Sequence, residues 1–160
     1  MSQIDNHLKW CLRDEKRLVK TKPDLDLAYQ HLKKSEYNYR ILQTLEGLKI
    51  YDWALNIGFY AIYHCFLALL AKYGFESKNQ SCTVTLLLSL IKEGKLHLDK
   101  NLVLQFDTLE IEKDMASPTI RMKRELSTYG IGTSIDLQQL KSLKEMILQV
   151  QREVIKILAE

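Results

Sequence analysis

Between residues 53 and 73 the chain reads WALNIGFYAIYHCFLALLAKY, and only Asn56, Gly58, His64 and Lys72 interrupt its apolar and aromatic side chains. A surface helix carries an apolar stripe on one side. A run that is apolar all round belongs to a helix buried on most of its faces. The run is far longer than an ordinary strand, which decides for helix. Asp52 stands where an N-cap belongs and Gly74 where a left-handed C-cap belongs. Gly58, Ala61, Ala68 and Ala71 are small enough for neighbouring backbones to come close. Such a helix needs amphipathic partners to wrap it in water, and the remaining segments supply them.

The 160 residues suit one domain. A chain of that size buries roughly 70% of its unfolded surface, so its core needs neither disulfide nor metal. Six Gly and two Pro are too few for a turn-rich sheet fold. The net charge of +3 permits contact with phosphate without marking a nucleic-acid binder by itself. Cys11, Cys65 and Cys82 form an odd set with no C-x-x-C, read as the reduced thiols of a cytoplasmic protein, with Cys65 a small core residue. The first residues lack an apolar signal-peptide core, so none is expected. Residues 53–71 are long enough to span a membrane. Asn56 and His64 interrupt them, and the charged, amphipathic helices elsewhere favour a core helix with no membrane contact.

Periodicity places the other elements. Residues 3–20 form an amphipathic helix through Ile4, Leu8, Cys11 and Leu12, with Lys9, Arg13, Lys16, Arg17 and Lys20 on a solvated face. His7 and Cys11 share one side of it, but two ligands do not make a metal site. Pro23 breaks the element, and Asp24 or the proline itself opens a helix over 24–48 with Leu25, Ala28, Leu32, Ser35, Tyr39 and Leu42 inward. After the central helix, Ser81 or Thr83 caps a helix over 83–92, ended by Gly94, and Asp99 caps one over 100–112. Ser117 and Pro118 open a basic helix, IRMKRELSTY, stopped by Gly130 and Gly132. Ser134 or Asp136 opens the last helix, whose Leu140, Leu143, Ile147, Val150, Val154 and Ile157 keep a/d spacing. That seam packs on the central helix, on a second protomer, or on both. The expected fold is all-α, an up-and-down bundle of five to six helices with no strands.

Four features in order carry a family resemblance. An amphipathic helix is followed by W-A-x-x-x-G-x-Y-A-x-Y-H-x-x-x-A-L-L over 53–70 and G-F-E-S-K-N-Q over 74–80. K-E-G-K-L follows at 92–96, and R-E-L-S-T-Y-G at 124–130 precedes the long final helix. From about Asp24 onward the chain resembles the HEPN domain, in its stand-alone archaeal and bacterial branch, with residues 1–22 as an amphipathic extension. The resemblance implies a helical bundle, usually a homodimer. Many members are encoded beside a minimal nucleotidyltransferase as the toxin of a toxin–antitoxin pair. Catalytic members are metal-independent ribonucleases whose R-x4-6-H motif is shared between protomers, with no cofactor.

Arg124 matches the motif's arginine, but Tyr129 stands where histidine would. Metal-free RNA cleavage needs a group that takes the 2′-hydroxyl proton and one that returns a proton to the leaving oxygen. Histidine does both because it titrates near neutrality. A phenol with a pKa of about 10 is ionised in about one molecule per thousand at pH 7. Arg124 is therefore a phosphate-contact candidate, with Tyr129 as its companion and Arg121 and Lys123 as extensions of a basic cleft. Against these stand an ion pair for Arg124, core packing for Tyr129 and solvation for the other two. His64 is a core histidine unless it shares a polar cleft with Arg124. Three functions follow as expectations: binding of RNA or nucleotide phosphate beside a nucleotidyltransferase, a ribonuclease with a non-standard acid–base set, and a dimerisation or docking scaffold.

Overall fold

The computed structural model describes residues 2–107, 119–130 and 136–160, without the side chains of Leu126, Ser127 and Tyr129. These residues form α1 (Gln3–Leu12), β1 (Leu18–Lys20), α2 (Leu25–Gly47), α3 (Tyr51–Tyr73), β2 (Phe75–Ser77), α4 (Gln80–Lys92), α5 (Lys100–Phe106), α6 (Ile120–Tyr129) and α7 (Leu137–Leu158). The architecture is all-α around the apolar helix α3, as its composition requires. Seven helices are described rather than five or six, and a short ribbon joins them.

Helix α3 ends on Gly74, whose φ of 81° is the left-handed cap that glycine adopts without strain. A Cβ there would also lie 2.8 Å from the Thr21 carbonyl oxygen. Its other end differs from expectation. Ile50, not Asp52, is the N-cap, and it makes no side-chain cap. Asp52 lies in the first turn, where a negative charge opposes the positive end of the helix dipole.

Helices α2 and α3 form an antiparallel hairpin, and α7 lies against both. All six seam residues of α7 are buried within this one chain. Gly58 marks the closest approach: a Cβ on it would meet Leu143 Cδ2 at 2.6 Å and Leu42 Cδ1 at 3.0 Å. The three helices also share a buried hydrogen-bonded node. Ser35 Oγ donates to the Ala61 carbonyl at 2.6 Å and accepts from Gln151 Nε2 at 3.0 Å. Cys65 Sγ lies 3.2 Å from the same oxygen, and burial pushes its thiol up to about 12. Helix α5 is anchored by Phe106, which stacks on Phe59 at 4.7 Å and meets Phe66 edge-on at 5.0 Å. Leu25, expected inward, is exposed at the start of α2.

Four expectations need correction. The first helix stops at Leu12, because Asp14 turns the chain by accepting from the Lys16 N–H at 2.9 Å. Leu18–Lys20 then pairs antiparallel with Phe75–Ser77, Val19 opposite Glu76, where no strand was expected. Three-residue strands are too short to show a period. Helix α4 starts earlier than expected, because Asn79 caps it by accepting from the Cys82 N–H at 3.0 Å. Helix α5 ends at Phe106. The expected start at Ser117 and Pro118 lies outside the described residues, and Thr119 Oγ1 accepts from the Met122 N–H in the first turn of α6.

The cysteines are a further correction. Cys11 and Cys82 form a disulfide rather than two free thiols. Helix α1 packs on α4 and brings their Cα atoms to 5.7 Å, within the range a disulfide spans, although they are 71 residues apart in sequence. The N-terminal segment is thus tied to the bundle by a covalent bond and by the ribbon.

Among the described residues α3 is the one helix long and apolar enough to cross a membrane, and 72% of its most apolar window is buried by the rest of the chain. Gly58→Val should overpack the contact of α2, α3 and α7. We expect a loss of about 1–3 kcal/mol in urea unfolding with an unchanged m-value. A variant as stable as the wild type would show that Leu42 and Leu143 move aside freely.

Candidate phosphate site on the basic helix

Three turns of α6 face α3 through Ile120, Arg124 and Thr128, spaced four apart on one side of the helix. Ile120 is buried in the core. Thr128 Oγ1 donates to Asn56 Oδ1 at 2.9 Å, which accounts for an amide in the apolar run. Arg124 lies between these two anchors.

Arg124 is 8% exposed. Its guanidinium carbon stands 4.6 Å from the centre of the Phe59 ring and 5.7 Å from that of Tyr60, so two aromatic faces hold the cation. Its Nε is buried without a hydrogen-bond partner. Among the described residues its carboxylate contact is Glu125 Oε1, 3.8 Å from Nη2, beyond hydrogen-bonding distance. A guanidinium offers five N–H donors in a rigid plane, so this one is fixed in place and under-used. An anion would reach it at the edge where Glu125 now stands.

The other two basic candidates are placed differently. Arg121 Nη1 donates to Asp107 Oδ2 at 2.8 Å, and its Nε to Glu125 Oε1 at 3.3 Å. Burial pulls its pKa down, but the hydrogen bond and charge of Asp107 outweigh it, and Glu125 adds to them, so the guanidinium stays firmly cationic. Asp107 is itself 6% exposed. Arg121 is therefore engaged in a mostly buried ion pair joining α5 to α6. Glu125 lies between both arginines and brings them together. Lys123 projects to the opposite flank, into a cleft of about 290 Å³ lined by Leu55, Leu104, Ile120, Gln139 and Met146. The three basic residues do not converge on one point. The side chain of Tyr129 lies outside the described residues; its backbone is the last residue of α6.

His64 has a partner, and it is not Arg124. Its Nδ1 lies 3.0 Å from Nδ1 of His31 on α2. In that contact one ring donates and the other accepts, so the pair holds at most one added proton without breaking. Burial holds both imidazoles below their ordinary pKa, and for His64 the neighbouring His31 and Lys34 add to it, to about 4. The sequence reading missed His31. The signal was the hairpin itself: folding α2 back on α3 brings residues about equidistant from Leu48 opposite each other.

One face of α3 is only partly covered. Trp53, Ile57, Tyr60, His64 and Leu67 repeat at alternating four- and three-residue spacing, and none of the five is buried. Trp53 is 52% exposed. Arg124 borders this stripe at Tyr60. No family model matches the sequence, and neither does any curated protein.

The histidine pair makes stability depend on pH. Unfolded His64 titrates near 6.5 and folded His64 near 4, so the unfolded chain binds more protons between these values. Stability should be unaffected by this pair above about pH 7 and should fall as pH drops through that window. In urea unfolding at about pH 7 and about pH 5, His64→Gln should narrow the difference seen in the wild type. An undiminished difference would place its origin in other groups.

Proposed function

We propose that this chain is a dimeric helical protein of HEPN type that binds RNA or a nucleotide phosphate through Arg124, as the partner of a nucleotidyltransferase in a toxin–antitoxin-like pair. One observation carries the binding site: a buried, under-bonded guanidinium held on Phe59 and Tyr60 at the edge of a partly covered apolar stripe. An arginine pre-positioned by aromatic faces loses little entropy on meeting a phosphate, and its planar fork matches the oxygens. The stripe supports the dimer. Two copies of α3 meeting through Trp53, Ile57 and Tyr60 would bury the exposed tryptophan and bring two Arg124 side chains to the rim of one cleft. Arg121 is a positioning residue in this scheme, aligning Glu125 and α6. Lys123 adds positive potential from the flank. The transferase partner follows from the family resemblance alone, and the cytoplasmic location from the reading of the cysteines as thiols. In a cytoplasm, Cys11 and Cys82 would be held as a dithiol.

The histidine pair favours one second reading, a metal-independent ribonuclease. His64 is neutral at pH 7 and can accept a proton, so with His31 it supplies the imidazole that the arginine motif lacks. A pKa of about 4 keeps His64 unprotonated at pH 7 but makes it a weak base, so this reading needs the site to raise it, and the acid would be another group.

A mobility-shift assay on labelled RNA in low salt with EDTA tests both. Arg124→Ala should weaken the shift about tenfold or more and lower the salt dependence by about one counterion. Glu125→Gln should strengthen it by freeing the open edge of Arg124. An unchanged shift in Arg124→Ala would end the binding proposal. Cleavage in the same tubes, lost in His64→Gln, would promote the ribonuclease.

A further inference from the structure

Away from α6, three metal-ligating side chains stand together. His7 and Cys11 are four residues apart on α1, hence on one face of it, and that face packs on α4 where Cys82 sits. A ring nitrogen of His7 and both sulfurs lie within 4.8 Å of one another. Both cysteines are fully buried and His7 is half-buried. We propose that reduction of the Cys11–Cys82 disulfide converts this cluster into a site for a thiophilic divalent cation of the zinc class, held by Cys11, Cys82 and His7.

The step balances with a dithiol as reductant. It gives two electrons to the S–S bond, which breaks to two thiols, and it becomes a disulfide itself. The cation then displaces one proton from each thiol to solvent and takes a lone pair from the neutral imidazole. Two thiolates cancel its charge, so the nearby Arg17 guanidinium is no obstacle. Three protein ligands with one position left to water is an ordinary zinc set.

The surroundings of His7 fit a ligand. Ser81 Oγ donates its single proton to Asn79 Oδ1 at 2.8 Å. Toward His7 Nε2, 3.2 Å away, it can therefore only accept. That fixes the tautomer with hydrogen on Nε2 and leaves the lone pair on Nδ1. Ligating histidines are commonly oriented by such an outer hydrogen bond. Asn79 Oδ1 also accepts the Cys82 N–H at 3.0 Å, so one amide braces two of the three ligands. Burial first, then the charge of Arg17, holds the imidazole below its ordinary pKa. Trp10 stacks on His7 at 5.2 Å and carries Arg17 at 3.7 Å on its ring, which restrains the face. The third cysteine does not compete, because Cys65 is enclosed in the α2, α3 and α7 core. Oxidised or metal-bound, the cluster fastens α1 to α4; reduced and metal-free, it does not. The site is independent of Arg124 and of RNA.

Cobalt(II) added to the full chain tests this, after reduction with a phosphine that leaves no competing thiol. Expected is a thiolate-to-cobalt charge-transfer band that saturates at one ion per chain, is displaced by zinc and is absent from the oxidised protein. Ser81→Ala should weaken binding about tenfold, and His7→Ala at least as much. Cys65→Ser and Arg124→Ala should leave the band unchanged. No band in the reduced wild type would overturn the proposal, as would one that survives in Cys11→Ser. Should Cys11→Ser lose its helical circular dichroism, undiminished affinity in His7→Ala would overturn the three-ligand site instead.

Discussion

Everything in this fold answers to one constraint: α3 has almost no side that tolerates water. A helix with one apolar stripe can lie on a surface, but one apolar all round must be covered by several elements at once. Its sequence neighbour α2 returns along it, and α7 closes the groove between them at Gly58. Phe106 of α5 fills the space between Phe59 and Phe66. Each covering element is amphipathic, so the bundle presents most of its charges outward, with the paired Asp107 and the under-bonded Arg124 the buried exceptions among the described residues. The stripe of α3 from Trp53 through Ile57, Tyr60 and His64 to Leu67 is only partly covered, and Trp53 is its exposed end.

The polar groups inside mark where position is specified rather than merely filled. Apolar packing tolerates sliding, but a buried hydroxyl left unbonded costs about 1–3 kcal/mol. Ser35 meets Ala61 and Gln151 in only one register of α2, α3 and α7. Tyr63 and Thr83 fix α4 against α3 at 3.1 Å in the same way. Asn56 and Thr128 do so for α6. Hydrophobic area brings the helices together, and these bonds choose the alignment.

What could be read from the sequence follows the range of the interaction involved. The core of α3, the cap on Gly74, the cap on Asp99 and the buried seam of α7 are set within a few residues, and each was legible; Asp24 and Asp136 were each one of two candidate starts. The disulfide, the ribbon and the histidine pair join residues that only the tertiary fold brings together, and a list of spacings does not contain them. Of the candidate site, the helix and Arg124 were legible as a basic segment with one motif residue. That Arg121 is bound by Asp107 while Arg124 rests on rings was not. Both arginines look alike in sequence, and the difference comes from which face of α6 meets α5 and which meets α3.

That difference also explains why the two arginines have different uses. A carboxylate partner in a mostly buried pair satisfies an arginine's donors and neutralises its charge, so Arg121 has little left to offer an anion. An aromatic partner does neither. It stabilises the cation through the ring face and leaves the in-plane N–H donors unspent. Burying a charged group in this manner costs stability unless something else completes its bonding. A phosphate reaching the Glu125 edge would supply the missing acceptors, and a second protomer on the partly covered stripe of α3 would exclude water around it. The same buried arginine that is a weak point in the isolated chain thus becomes, in the proposed dimer, the group for which the surrounding aromatic residues are arranged.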